Sequence, residues 1–165
     1  MLDDAIRQAA AQLIGLLLDR KMTIATAESC TGGLVAGALT EIPGSSGAVY
    51  GGFVTYANEA KVTMIGVDEA MIAEHGAVSA HVARAMAEGA RNTAMVDIAI
   101  AVTGIAGPGG GSEAKPVGLV HFACATAAGT SHVERRFGSL GRQGIRQASV
   151  KAALELALAC VDTPA

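Results

Sequence analysis

Charged and aromatic residues are both scarce in this sequence. Of its 165 residues, 16% are charged, 3% are aromatic and none is tryptophan, whereas 51% are hydrophobic. Soluble domains average about 25% charged residues, so we expect elements buried on more than one side, or a surface covered by another subunit. The length is typical of one domain with a sizeable core. We therefore predict a single domain over residues 1–165.

The sequence also lacks the features of nucleic-acid-binding and membrane proteins. Its formal net charge is −3 and it has no basic run, which predicts no nucleic-acid partner. No apolar stretch reaches the roughly 18–20 residues needed to cross a bilayer, so we predict no membrane partner. Residues 1–21 carry two early acids and helical apolar spacing, which favours an amphipathic helix over a signal peptide.

Cysteine is infrequent and widely spaced. Cys30, Cys124 and Cys160 are an odd number and form no CxxC pair. This pattern argues against a disulfide framework or a zinc site and is typical of a reducing compartment. We therefore predict a cytoplasmic protein with no metal and no cofactor.

Hydrophobic periodicity predicts a three-layer α/β/α sandwich with a mixed sheet of about five strands. A nearly continuous apolar run such as "IAIAV" is expected where helices cover both faces of a sheet. The last two predicted strands form a hairpin, so at least one strand is antiparallel. Asp68 and Ser79 are candidate helix N-caps. The predicted strands cover 22–29, 48–57, 96–107, 117–129 and 130–138, and the predicted helices cover 1–21, 31–42, 58–66, 68–76, 78–94 and 142–161.

The stretch "TAESCTGG", residues 26–33, joins the first predicted strand to the helix that follows it. Ligands of open α/β sheets bind at such turns, and free N–H groups at the start of a helix favour an anion or an oxyanion. The candidate nucleophiles are Ser29, Cys30 and Thr31. The alternative is a plain helix cap with no chemical role, and Glu28 either orients a base or bonds the local backbone.

A serine nucleophile needs a base to take its proton. None of the four histidines has an acidic partner in a recognisable motif, and His132 is expected to be solvated. Lys61 lies just past the second strand, whose end adjoins Ser29 if the two strands are parallel neighbours. A desolvated Lys61 could then act as the base, with Tyr56 relaying the proton. The residues alone favour the plainer alternative of a solvated lysine and an anchoring tyrosine.

Several motifs in order resemble one known family. They are "AESCTGGLVAGALTEIPGSSGAVYGGFVTYANEAKVTMIGV", "HGAVS", "TGIAGPGGGSEAKPVGLV" and "GRQGIRQASVKAAL". Together they are similar to the CinA C-terminal domain family, in its stand-alone form, over residues 5–160. This family includes nicotinamide-nucleotide amidohydrolases.

The resemblance implies hydrolysis of the carboxamide of nicotinamide mononucleotide (NMN) without a metal. It implies a catalytic Ser-Tyr-Lys set, which maps onto Ser29, Tyr56 and Lys61. The glycine-rich loop and the last helix are the candidate phosphate sites, with Arg142 and Arg146 one helical turn apart. The candidate substrate-binding residues are Thr31, Gly32, Gly33, Thr103, Gly104, Gly107 and Arg142.

Two other functions remain open. One is a non-catalytic nucleotide-binding or protein-interaction module, and the other is a broader amidase for pyridine carboxamides. The low charge fraction further predicts a homo-oligomer, most simply a C2 dimer.

Overall fold

The computed structural model describes residues 3–162. Residues 1–2 and 163–165, which belong to the predicted domain, lie outside the described residues. Among residues 3–162, no helix combines the length and the apolar composition needed to span a bilayer.

A five-stranded mixed sheet forms the centre of the structure. Its strand order is β2-β1-β3-β4-β5. Strand β1 runs parallel to β2 and to β3, whereas β4 is antiparallel to both of its neighbours, β3 and β5. The predicted mixed sheet and hairpin are thus confirmed. The strands are β1 (Ile24–Glu28), β2 (Val49–Val54), β3 (Ile98–Gly104), β4 (Leu119–Thr126) and β5 (Gly129–Arg136).

Helices cover both faces of this sheet, as predicted for a three-layer sandwich. Two separate clusters of buried apolar residues form, one between the sheet and each helical layer. The first layer contains α1 (Asp4–Asp19), α2 (Leu34–Thr40) and α6 (Gly141–Asp162). The second contains α3 (Asn58–Ile65), α4 (Glu69–His75) and α5 (Ala80–Ala94).

Small residues bring the second layer close to the sheet and to its own helices. Ala25 and Ala27 of β1 face this layer and are fully buried. Gly89 of α5 packs so tightly that a Cβ added there would lie 1.9 Å from the carbonyl oxygen of Ile65. The alanine-rich, aromatic-poor composition therefore produces close helix contacts rather than an underfilled core.

Local signals mark most helix starts correctly. Asp68 accepts a hydrogen bond from the Ala70 amide at 2.9 Å, and Ser79 accepts one from the Val82 amide at 3.2 Å. Both predicted N-caps are confirmed. The helix predicted over 31–42 instead begins at Leu34, because Gly32 and Gly33 have φ values of +60° and +97°. Left-handed backbone cannot continue a right-handed helix, so a turn occupies these positions.

The parallel strands place their carboxyl ends along one edge of the sheet. Ser29 follows β1 there, Thr55 follows β2, and Ile105 follows β3. The amide of Thr55 donates to the Glu28 carbonyl at 2.8 Å, so the ends of β1 and β2 are joined directly. The turn between β4 and β5 lies at the opposite edge, beside the amino end of β3.

Candidate active site

Ser29 and Lys61 meet at the carboxyl edge of the sheet. The Lys61 Nζ lies 3.3 Å from the Ser29 Oγ. It also donates to the carbonyl oxygens of Thr55, at 2.8 Å, and Tyr56, at 3.4 Å. Lys61 lies in α3, the helix that follows β2, so the parallel pairing of β1 and β2 brings the Lys61 amine and the Ser29 hydroxyl together. Each group is held by a different element.

Lys61 is a buried lysine without an ion-pair partner among the described residues. Only 1% of its surface is exposed. Burial lowers the pKa of its ammonium group below the ordinary 10.5. A buried environment penalises the charged form, so the neutral amine becomes accessible. A neutral amine next to a serine hydroxyl can accept its proton.

Glu28 caps the turn that carries Ser29. Its carboxylate accepts hydrogen bonds from the amides of Gly33, at 3.0 Å, Val35, at 3.0 Å, and Ala36, at 2.8 Å. Of the two roles left open for Glu28, bonding the local backbone is the one the structure shows. The amino end of α2 therefore already holds an anion from the chain itself, which corrects the expectation that its N–H groups are free for a ligand.

We predict that Glu28→Gln destabilises the protein by about 1–3 kcal/mol, because a buried amide replaces a carboxylate that accepts from three amides. The free energy of unfolding in urea measures this change. Glu41→Gln is the control, because Glu41 is an exposed carboxylate in an ion pair with Arg7, and such pairs contribute about 0–1 kcal/mol. An equal effect of the two substitutions would show that the Glu28 cap is not a structural anchor.

A cavity of about 260 Å³ opens beside Ser29. Tyr56 and Arg142 form part of its wall. One guanidinium nitrogen of Arg142 lies 3.1 Å from the Tyr56 hydroxyl, and the other donates to the Gly107 carbonyl at 2.9 Å. Within the described residues, the Tyr56 hydroxyl makes no hydrogen bond to Ser29 or Lys61. The predicted proton relay through this hydroxyl is thus not formed, and the carbonyl of Tyr56 is what contacts Lys61.

Arg146 bonds to the turn that follows Ser29. Its guanidinium donates to the carbonyl oxygens of Cys30, at 3.1 Å, and Thr31, at 2.9 Å. These bonds occupy the guanidinium of Arg146, which was a candidate ligand for the substrate's phosphate. A cation on these two carbonyls polarises the peptide groups and strengthens the N–H donors of Thr31 and Gly32. Arg146 therefore fixes the turn.

Backbone donors differ in availability along the turn. The Gly32 amide donates to the Ser29 carbonyl at 3.0 Å, and the Gly33 amide is bound to Glu28. The amides of Cys30 and Thr31 have no acceptor from another residue among residues 3–162. Of the predicted oxyanion donors, Thr31 alone keeps an N–H without such an acceptor; its side chain is buried, and Thr31 lies next to the cavity-lining Ser29 and Cys30 rather than in the lining itself.

Some of the predicted substrate-binding residues line the cavity, and others bond within the protein. Gly104, Gly107 and Arg142 line the cavity. Thr103 lies outside its lining, because its hydroxyl donates to the Ala77 carbonyl at 2.8 Å and links β3 to the second helical layer. The lining residues that sequence reasoning missed belong to the same glycine-rich segment, which was the available signal. They are Ile105, Ala106, Gly109 and Gly110.

Cys30 is less suited to attack than its neighbour Ser29. It is buried, and burial raises the pKa of its thiol to about 11. The thiolate is the reactive form of cysteine, so Cys30 stays protonated at neutral pH. This agrees with the interpretation of Cys30 as a packing residue behind Ser29.

The histidines are arranged as two pairs that do not touch Ser29. The rings of His75 and His81 stack with centroids 3.8 Å apart. The Nδ1 of His121 lies 3.0 Å from the Nε2 of His132, so His132 is half-buried rather than solvated as predicted. The four rings are therefore partners of one another and not bases for the serine. Across residues 3–162, no three His, Cys, Asp or Glu side chains are placed to hold a metal ion.

The chain matches known proteins along almost its whole length. The CinA C-terminal domain model matches residues 6–161. The nicotinamide-nucleotide amidohydrolase PncC of Escherichia coli (strain K12) is 49% identical over 155 residues, covering 94% of each chain. The crystal structure of the competence/damage inducible protein CihA from Agrobacterium tumefaciens has a TM-score of 0.95 and 48% identity, with 99% of each chain covered.

Other relatives are much longer than this chain. A CinA-like protein of Synechococcus sp. (strain RCC307) is 52% identical over 155 residues, which are 93% of this chain and 36% of that protein. The chain thus spans about a third of the length of such relatives. The similarity to them concerns one region of a larger protein.

Proposed function

Because the chain belongs to the CinA C-terminal domain family, we propose that it hydrolyses the carboxamide of NMN to nicotinic acid mononucleotide and ammonia. An amidohydrolase that is 49% identical over 94% of both chains supports an amidase activity. NMN is the substrate that this relative's name indicates. The cytoplasmic location and the homo-oligomer stay predictions from cysteine usage and composition.

One observation carries the proposal. A fully buried lysine amine lies 3.3 Å from a serine hydroxyl, and that serine lines a cavity. A buried lysine is costly unless its neutral form is used or its charge is paired, and Lys61 forms no ion pair among the described residues. A Ser-Lys pair of this kind is a recognised device for activating a serine nucleophile.

The proposed reaction uses this pair twice. Neutral Lys61 takes the Ser29 proton while Oγ attacks the amide carbon, and the N–H groups of Cys30 and Thr31 hold the developing oxyanion. The Lys61 ammonium then gives its proton to the departing nitrogen, so ammonia leaves and an acyl-serine remains. Water, deprotonated by Lys61, attacks that ester, and the acid leaves as the proton returns to Ser29.

Tyr56 completes the proposed catalytic set through two different atoms. Its carbonyl oxygen accepts from Lys61 Nζ at 3.4 Å, which orients the amine. Its hydroxyl, bound to Arg142, lies on the cavity wall. We assign to Tyr56 the positioning of Lys61 and of the substrate, and to Arg142 the phosphate of NMN, because a guanidinium matches phosphate geometry.

We predict that Arg142→Gln raises the KM for NMN by about 10–100-fold, the effect of losing charge-assisted hydrogen bonds of about 1.5–3 kcal/mol. Steady-state kinetics with NMN and with nicotinamide riboside, which lacks the phosphate, separate two roles. If Arg142 binds the phosphate, its substitution raises the KM for NMN and leaves the KM for nicotinamide riboside unchanged. Equal changes for both substrates would instead assign Arg142 to holding Tyr56 and Gly107. The exposed Arg135→Gln serves as the control.

The decisive experiment measures ammonia released from NMN by the purified protein in the presence of a metal chelator. Steady release supports the proposed activity, and its absence at micromolar enzyme contradicts it. Tight NMN binding in calorimetry without ammonia release would instead identify the non-catalytic nucleotide-binding module. Parallel assays with nicotinamide and NAD distinguish an NMN-specific enzyme from a broader pyridine-carboxamide amidase.

A further inference from the structure

Two cysteines that are distant in sequence meet at the edge of the sheet opposite Ser29. Cys124 is fully buried in β4 and belongs to the apolar cluster under the first helical layer. Cys160, in the last turns of α6, packs against that cluster. The two thiols are close enough to influence each other's acidity directly. Ser131, which pairs with Cys124 across β4 and β5, lines the same cavity as Cys160.

Only one of the two thiols is accessible. Cys160 is partly exposed and lines a cavity of about 490 Å³, whereas Cys124 lies behind it in the core. Arg20 anchors this end of α6, because its guanidinium donates to the Val161 carbonyl and lies 3.6 Å from the Asp162 carboxylate. The sulfur pair is therefore held in place and reached by solutes from one side.

The thiols differ in exposure in the way that an attacking and a resolving cysteine differ, since Cys160 is partly exposed and Cys124 is fully buried. The neighbouring Cys124 thiol and Ser131 hydroxyl favour the Cys160 thiolate and lower its pKa to about 6. The same pairing, together with burial, raises the pKa of the Cys124 thiol. A thiolate that is accessible at neutral pH, next to a protonated partner thiol, is the arrangement on which redox-sensitive cysteine pairs depend.

We propose that Cys124 and Cys160 form a dithiol site that hydroperoxides oxidise to an intramolecular disulfide. The Cys160 sulfur attacks one oxygen of the hydroperoxide, an S–O bond forms and the O–O bond breaks. The leaving oxygen takes up the thiol's proton and departs as water from hydrogen peroxide, or as an alcohol from an organic hydroperoxide. The Cys124 sulfur then attacks the sulfenic sulfur, an S–S bond forms, the S–O bond breaks, and water carries away the remaining hydrogen. The two thiols lose two electrons, which reduce the peroxide.

This disulfide joins α6 to the β4–β5 hairpin. It closes a loop of about 36 residues, so by chain entropy the oxidised form unfolds at a temperature about 8–15 °C higher than the reduced form. Arg142 and Arg146 lie at the other end of α6. The bond locks the helix that carries both arginines onto the sheet.

The test is oxidation of the native protein with dilute hydrogen peroxide, followed by intact mass and peptide mapping. We expect a loss of about 2 Da, a cross-linked pair of peptides containing Cys124 and Cys160, a free Cys30, and reversal by dithiothreitol. Cys160→Ser abolishes the mass loss. Cys124→Ala leaves Cys160 without a resolving thiol, so it gains oxygen instead.

Each remaining outcome overturns the proposal. Cross-links between chains, a bond to Cys30, or oxygen addition to Cys160 in the wild type would each show that Cys124 does not resolve the sulfenic acid. Unchanged thiols in the native protein, when the urea-unfolded chain is readily oxidised, would show that the cavity gives no access. Because the mapping uses the wild type, the result stands even if the Cys124 variant fails to fold.

Discussion

Ser29→Ala is expected to lower kcat/KM for NMN hydrolysis by about 10⁶-fold, which is the scale of the loss when the nucleophile of a serine hydrolase is removed. The substitution deletes the oxygen that would attack the amide and leaves the cavity wall otherwise intact. Calorimetry should show NMN affinity within a few-fold of the wild type. The loss of activity would then belong to the chemical step rather than to binding.

The control for this substitution is Ser46→Ala. Ser46 is an exposed serine in the segment before β2, at the amino end of that strand. Its replacement should leave ammonia release within experimental error of the wild type. Substantial turnover by Ser29→Ala would remove Ser29 from the nucleophile's role and refute the acyl-serine pathway.

Lys61→Met is expected to reduce kcat by about 10³-fold while the protein stays folded. Methionine fills a similar volume but has no amine to take the Ser29 proton, and general-base catalysis contributes about 10²–10⁴-fold. Lys61→Arg should be equally inactive, because arginine keeps the charge and stays protonated. An active Arg variant would show that position 61 supplies charge and not a base. Lys151→Met, on the exposed side of α6, is the matched control.

The pH dependence follows from the direction of the Lys61 pKa shift. Burial lowers this pKa below 10.5, so kcat/KM should rise with pH as Lys61 loses its proton. The folded state binds its proton less tightly than the unfolded chain, so Lys61 makes the protein more stable as pH rises from the folded pKa towards 10.5. Melting curves of wild type and Lys61→Met at several pH values measure this, and the difference should move in favour of the wild type with rising pH.

Local patterns in the sequence were sufficient for the elements of the fold. Continuous apolar strands, amphipathic helices and the N-caps at Asp68 and Ser79 depend on neighbouring residues. Each predicted strand and helix is present, and both N-caps are confirmed. The start of α2 was predicted three residues too early. Its position depends on two left-handed glycines and on the Glu28 carboxylate, whose bonds to three amides form only when the turn closes.

The meeting of Ser29 and Lys61 could be anticipated because parallel neighbouring strands share a carboxyl edge. The contacts of Tyr56, Thr103 and Arg146 could not. The Tyr56 hydroxyl turns to Arg142, which is 86 residues away, and Arg146 reaches carbonyls 115 and 116 residues away. Such contacts depend on side-chain rotamers and on where α6 crosses the sheet, and no local pattern encodes either.

The sequence by itself determined the α/β/α class, the mixed sheet and the family, because periodicity, caps and ordered motifs are properties of short stretches. The tertiary structure decided which polar groups bond to the protein's own backbone and which stay available to a ligand. Burial removes water from Lys61 and changes its acid–base behaviour, and long-range packing places Cys124 against Cys160. Both effects arise from atoms that are neighbours in space and not along the chain.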